Sequence, residues 1–325
     1  MTPSDGQVLA RDGAFDALMA RRPRALARHL RGLDDGVTSA FEMQRRLLAL
    51  GRSAVTIGIT GSPGVGKSSL TDQLIVDYRA RDFRVAVIAV DPSSPFTGGA
   101  ILGDRIRMQR HYGDPDVFIR SVATRGSMGG LSASIRDMVD AVIAVGYEVV
   151  IIETVGVGQD EIDIVNLAQT NVVVELPGAG DGVQAIKAGL LEIADIFVVN
   201  KADKPGAEQV VKQLGLLMSQ GHDVAEGWAP PILKTVALTG EGIEALAHHI
   251  ESHQQFLTES GQGEARRQAF RTAAIKEALR ARINQMVVEV LDSETVGGLS
   301  SSPDLPRDVA ERVLAQACAK LATDT

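Results

Sequence analysis

Apolar spacing alone divides the chain into three stretches with different periods. Over residues 1–52 apolar positions recur every three or four residues: Ala14, Leu18 and Met19, then Leu26, Leu30 and Leu33, then Met43, Leu47, Leu48 and Leu50. This spacing predicts helices, with Pro23 breaking or restarting one and Gly36 punctuating the next boundary. Ser39-Ala40-Phe41-Glu42 has the form of a capping box for the third helix. From 53 to 255 the pattern changes to short continuous apolar runs: Ala54–Thr60, Arg84–Val90, Val117–Val122, Glu148–Glu153, Asn171–Leu176, Asp195–Asn200 and Ile232–Leu238. Helical stretches separate them, as between the strands of a mostly parallel sheet flanked by helices. Residues 256–325 return to helical spacing, with Ile275, Leu279, Ile283, Met286, Val287 and Val290 on one stripe and Val309, Val313, Leu314, Ala317 and Leu321 on another. The first stripe must pack on the chain's own body or on a second copy. The expected class is therefore α/β, with N- and C-terminal helical extensions.

Composition narrows the picture. Of 325 residues, 45% are hydrophobic but only 4% aromatic, so the core must be aliphatic, as a buried parallel sheet requires. A net charge of −8 argues against a nucleic-acid partner. One local exception, Arg21, Arg22, Arg24, Arg28 and Arg31, is either a solvated face or a docking surface for an acidic partner. The single cysteine, Cys318, excludes an internal disulfide and any Cys-x-x-Cys metal site. No apolar run reaches membrane-spanning length and the N-terminus lacks a signal-type apolar region, so a cytoplasmic protein without a membrane partner is expected.

Gly61-Ser62-Pro63-Gly64-Val65-Gly66-Lys67-Ser68 matches the phosphate-binding pattern G-x-x-x-x-G-K-[ST]. A strand-like run precedes it, and Ser69 with Leu70, Leu74, Ile75 and Tyr78 opens a helix after it. Backbone N–H groups of such a loop cradle phosphate oxygens, and the helix N-terminus adds its dipole. Lys67 would reach the β/γ-phosphates and the Ser68 hydroxyl would ligate Mg²⁺. The fold is thereby narrowed to a P-loop NTPase.

Asn200-Lys201-Ala202-Asp203 follows a later strand and selects the base. The Asp203 carboxylate can accept from guanine N1–H and the exocyclic amine, whereas adenine offers no such pair of donors. Asn200 would contact the N7/O6 side of the base and the Lys201 stem would cover its ring. Val236-Ala237-Leu238 fits the loop whose backbone meets guanine O6. GTP is chosen over ATP.

Other polar clusters also fall at strand ends, where α/β sheets carry their sites. Glu153-Thr-Val-Gly156 stands where many GTPases place Asp-x-x-Gly, so Glu153 would lie near Mg²⁺ and Gln159 could orient water. The segment Asp91 to Asp104 reads as a switch loop whose two carboxylates could approach the metal, or as a loop with solvated acids. Arg105 and Arg107 follow it, and either could neutralise transition-state charge. Asp181, Gln184 and Lys187 share one face after a second glycine-rich loop, which is otherwise an ordinary strand-to-helix turn. His249 and His253 have two-histidine metal spacing, but no third ligand is nearby, and a surface location is expected.

Taken together, Gly61–Ser68, Val90–Ser94, Gly98–Asp104, Glu153–Gln159, Leu176–Asp181 and Asn200–Asp203 resemble, in order, the motifs of the MeaB/ArgK-like GTPases, chaperones of adenosylcobalamin-dependent acyl-CoA mutases. The resemblance covers about residues 55–250. It implies a Mg²⁺-dependent homodimer that hydrolyses GTP to GDP, gates cofactor loading and protects the mutase, without a tightly bound organic cofactor of its own. It implies that Ser68, Asp91, Asp104 and Glu153 surround Mg²⁺, that Lys67 serves the phosphates, and that Lys187, with Asp181 and Gln184, belongs to a further switch. Residues 256–325 would be the dimerisation arm. Leu238 departs from the small or basic residue expected in the base loop. Two alternatives remain: a nickel metallochaperone-type GTPase, for which Cys/His ligands are lacking, and a kinase of a transport protein, for which no separate phosphoacceptor site is seen.

Overall fold

The computed structural model describes residues 13–92, 108–124, 130–154, 167–178, 193–221, 227–291, 307–308 and 310–315. Seven strands, β1 (Val55–Thr60), β2 (Val85–Pro92), β3 (Val117–Thr124), β4 (Val149–Thr154), β5 (Thr170–Glu175), β6 (Ile196–Asn200) and β7 (Ile232–Thr235), form one sheet. Their order is β3-β2-β4-β1-β5-β6-β7 and every pairing is parallel. The central strand, β1, pairs Ile57 with Ile151 of β4 and Thr60 with Val173 of β5. Buried on both faces, the strands read as unbroken apolar runs.

Alternate residues along each strand feed different layers. Ile57, Ile59, Ile151, Val172, Val174 and Val198 face the helices α4 (Lys67–Ala80) and α7 (Ile243–Glu259). Ile88, Val150 and Ile152 face α2 (Pro23–Asp34), α3 (Thr38–Leu48) and α5 (Gly130–Val145), where Leu26, Leu30, Leu47 and Met138 complete the layer. On that same side Val173, Phe197 and Val199 meet α6 (Ala207–Gly221). The N-terminal helices, which begin with α1 over 13–19, are thus part of the body and cover one end of the sheet.

Some boundaries differ from the sequence expectation. Pro23 occupies the first turn of α2, where its missing N–H is no loss. The capping box at Ser39–Glu42 does not form: α3 starts at Thr38 with Val37 as its cap and no side-chain hydrogen bond there. The last strand ends at Thr235, because Val236 turns away to bridge Glu241. Helix α8 (Gln262–Leu291) is one 30-residue element. Ile275, Leu279 and Ile283 are exposed on it, whereas Met286 is buried. The Cys318 position and the stretches 297–306 and 316–325 lie outside the described residues. No described helix is long and apolar enough to cross a membrane.

His253 was expected at the surface and is instead completely buried. Its Nδ1 lies 2.8 Å from Thr170 Oγ1, and its ring packs tilted against Trp228, with the ring centroids 4.7 Å apart. Nε2 is 3.3 Å from Asp195 Oδ1. Arg266, in the first turns of α8, grips the same carboxylate with Nη2 at 2.9 Å from Oδ1 and Nη1 at 3.1 Å from Oδ2. Burial, against the pull of Asp195, lowers the His253 pKa to about 4, so the ring is neutral near pH 7. This network roots α8 beside the N-terminal ends of β5 and β6, opposite the phosphate-loop end. Among the described residues no cluster of three metal-ligating side chains is present.

Candidate functional site

The loop 61–66 leaves β1 at its C-terminal end and returns as α4, whose first residues are Lys67 and Ser68. Two glycines make the path possible. Gly61 has φ 141° and a Cβ there would collide with the carbonyl oxygen of Val174 in β5. Gly66 has φ 100°, and a Cβ would collide with the side-chain amide nitrogen of Asn200. The loop is therefore clamped between β5 and the end of β6.

Lys67 is buried and donates from Nζ to Gly61 O at 2.6 Å and Ser62 O at 3.1 Å. Ser68 is buried and its hydroxyl donates to Glu153 Oε1 at 2.6 Å. Glu153 stands near the end of β4, itself 3% exposed, so the first helical turn and the neighbouring strand bring a hydroxyl and a carboxylate together. Those two oxygens are the hard ligands that a Mg²⁺ ion takes, and their approach fits such an ion. Next to them, Thr154 Oγ1 donates to Thr60 Oγ1 at 3.1 Å, which ties β4 to β1 at the same level. Nothing in the sequence spacing marked this pair of threonines.

Asn200 and Lys201 are joined to the phosphate loop by their side chains. Asn200, 1% exposed, donates from Nδ2 to Val65 O at 2.8 Å. Its Oδ1 accepts from Ala237 N at 3.1 Å and Thr235 Oγ1 at 3.2 Å. Both lone pairs of that oxygen are thus committed within the protein. Asn200 thus bridges the phosphate loop and the turn that follows β7. Lys201 has φ 56°, an unusual value for a side-chain-bearing residue, and its Nζ donates to Gly64 O at 2.7 Å. Its stem consequently spans the two loops. Asp203 is exposed, one turn beyond. Ala237 is buried and Leu238 is 87% exposed, and the turn is closed by Val236 N donating to Glu241 O at 3.0 Å.

Asp91 lies at the end of β2, in register with Ala123 of β3, on the same edge of the sheet. Its side chain, and Asp104, Arg105, Arg107, Gln159, Asp181, Gln184 and Lys187, lie outside the described residues. The segment that resumes after Arg107 is anchored to α4. Arg110 Nη2 stands 2.6 Å from Asp72 Oδ2, and His111 Nε2 is 2.9 Å from Asp72 Oδ1.

A buried carboxyl group that no motif flagged also sits here. Glu175 ends β5, one residue after the carbonyl on which Gly61 rests, and is 6% exposed. Burial pushes its pKa up to about 7, with the Lys67 ammonium pulling part of the way back. In the sequence it read only as part of an apolar run.

A phosphate loop at the mouth of a parallel sheet, with Asn200–Asp203 joined to it, can hold a nucleoside triphosphate. The family model described as "Methylmalonyl Co-A mutase-associated GTPase MeaB" matches residues 26–292. The chain belongs to the MeaB family. A "Putative GTPase" of Pyrococcus horikoshii is 46% identical over 93% of this chain and 92% of its own length. GTPase ArgK of Escherichia coli is 38% identical over 74% of this chain and 72% of its own. The Caenorhabditis briggsae mitochondrial methylmalonic aciduria type A homolog is 35% identical over 65% of this chain and 52% of its own. In fold, a solved LAO/AO transport system kinase superposes with a TM-score of 0.67, covering 99% of this chain and 100% of that one at 24% identity. This MeaB-family protein is a P-loop GTPase.

Proposed function

We propose that this GTPase serves as a nucleotide-dependent chaperone of an adenosylcobalamin-dependent acyl-CoA mutase, gating cofactor loading and protecting the loaded enzyme. The observation that carries the reading is the match of residues 26–292 to a family described by its association with methylmalonyl-CoA mutase. The relative named for methylmalonic aciduria supports the same link. A cytoplasmic setting goes with this reading, as the single cysteine suits a reducing compartment.

In this reading Lys67 moves its ammonium from the loop carbonyls to the β/γ-phosphates, and the N–H groups at the start of α4 hold their oxygens. Ser68 and Glu153, with Asp91 and Asp104, hold Mg²⁺, which when bound offsets the charge on the phosphate oxygens. Asp203 reads guanine, Lys201 covers it, and Ala237 and Leu238 close over O6. Gln159 orients the attacking water. Asp181, Gln184 and Lys187 carry the nucleotide state to the mutase. The exposed Ile275, Leu279 and Ile283 of α8 suit a homodimer arm, held at its root by Arg266 on Asp195.

The test is steady-state GTP hydrolysis by the purified protein with and without a cognate mutase, alongside capture of the mutase with GDP and with a non-hydrolysable GTP analogue. Slow turnover that the mutase accelerates, with capture that depends on the nucleotide, is the expected result. Fast turnover that no mutase alters would overturn the reading.

A further inference from the structure

Glu175 belongs to none of the roles above, yet it is buried at the phosphate end of the sheet. Its place follows from register. Thr60, the last residue of β1, pairs with Val173, so Glu175 lies two residues further on, level with the start of the phosphate loop. On its other side it pairs with Val199 of β6. Val173 and Val199 pack against Ala207 and Val210 of α6, so the strand beneath and the helix alongside present apolar groups. Among the described residues, Lys67 is the charged group whose field acts on this carboxyl. Lys67 itself is bonded to Gly61 O and Ser62 O, at the point where Gly61 presses on β5.

A carboxylate in that position attracts the same ammonium that phosphate needs. We propose that Glu175 is a positioning residue for Lys67, acting as an internal rival to phosphate that must take up a proton when nucleotide claims the lysine. Ionised Glu175 favours the lysine held in the loop and repels the incoming phosphate charge. Protonated Glu175 does neither. Since burial already brings the group to about 7, the exchange falls within the physiological range. The inference rests on the GTPase site and is independent of which protein the GTPase serves.

The sign follows from linkage. Nucleotide binding adds negative charge beside Glu175, so the bound protein holds more protons there than the free protein. Affinity therefore falls as pH rises past about 7, by at most about tenfold per pH unit.

The experiment is calorimetric titration of the full chain with GDP and Mg²⁺ between pH 6.5 and 8.5, in paired buffers of different ionisation enthalpy. Wild type should take up a proton beyond what GDP itself exchanges, and its GDP affinity should weaken across the upper half of that range. Glu175→Gln should lose both the extra proton and the slope, and bind GDP about tenfold more tightly than wild type at pH 8. Glu175→Leu, which fills the space without hydrogen bonding, should also be flat with pH. Absence of extra proton uptake by the wild type would overturn the proposal, as would an unchanged slope in either variant. A purely structural role would alter stability without moving the proton count.

Discussion

The Ser68 hydroxyl donates a 2.6 Å hydrogen bond to Oε1 of Glu153, joining the first turn of α4 to the end of β4. A hydroxyl and a carboxylate oxygen from residues 85 apart in sequence thereby meet. Ser68→Ala removes one of them and leaves Glu153 buried without this donor. The Mg²⁺ concentration for half-maximal GTP hydrolysis should rise by about 10–100-fold, while GDP binding without metal changes little. A metal titration of the hydrolysis rate checks it, and an unchanged midpoint would remove Ser68 from the metal site.

Lys67→Ala should abolish GTP hydrolysis, since no other described cation is bonded to the loop carbonyls of Gly61 and Ser62. The far-ultraviolet circular dichroism should stay as in the wild type. An unaffected rate would refute the phosphate-loop assignment.

Asn200→Ala tests the bridge between the loops. The change leaves Val65 O and Ala237 N without their partner in a buried setting. A loss of about 2–3 kcal/mol in unfolding free energy is expected, together with weaker GDP binding. Denaturant unfolding gives the first and calorimetry the second. A contact with the base alone would weaken binding and spare stability.

Asp203→Asn should exchange the base preference. An amide can donate to the C2 carbonyl of xanthine but offers one acceptor fewer to guanine. GTP binding should fall by about a hundredfold or more and xanthosine triphosphate should partly replace it. Competition between the two nucleotides in the variant measures the switch, and retained guanine preference would place the base elsewhere.

His253 makes stability depend on pH. Its folded pKa, lowered by burial to about 4, lies below the ordinary value of 6.5. The unfolded chain binds the proton more readily, so this stabilisation is present above about 6.5 and is lost as pH falls towards 4. The swing is at most about 3 kcal/mol. Replacing the ring by an amide, His253→Gln, should flatten denaturant midpoints across that window. A wild-type slope that persists in the variant would assign it to other groups.

Part of the site was legible because some chemistry is local in sequence. Eight consecutive residues build the phosphate loop, so Gly61 to Ser68 disclose it by spacing, and the donor and acceptor count of Asn200 to Asp203 raises the expectation of guanine. The strands were legible because a sheet buried on both faces leaves uninterrupted apolar runs. The start of α3 departs from the Ser39–Glu42 pattern because a side-chain pattern permits a hydrogen bond without requiring one, and the backbone enters the helix through Val37 instead.

By itself, then, the sequence determined the order of strands and helices along the chain and the phosphate loop. The tertiary structure decided which distant groups share a carboxylate or a lone pair. His253 became a buried neutral ring because Thr170, Asp195 and Trp228 converge on it from separate elements. Asn200 became a bridge because β7 brings Ala237 to it. Glu175, hidden in an apolar run, came within the field of the Lys67 ammonium through the pairing of β1 with β5. The physical reason is common to all three: burial and field depend on what surrounds a group in space, and no periodicity along the chain carries that information.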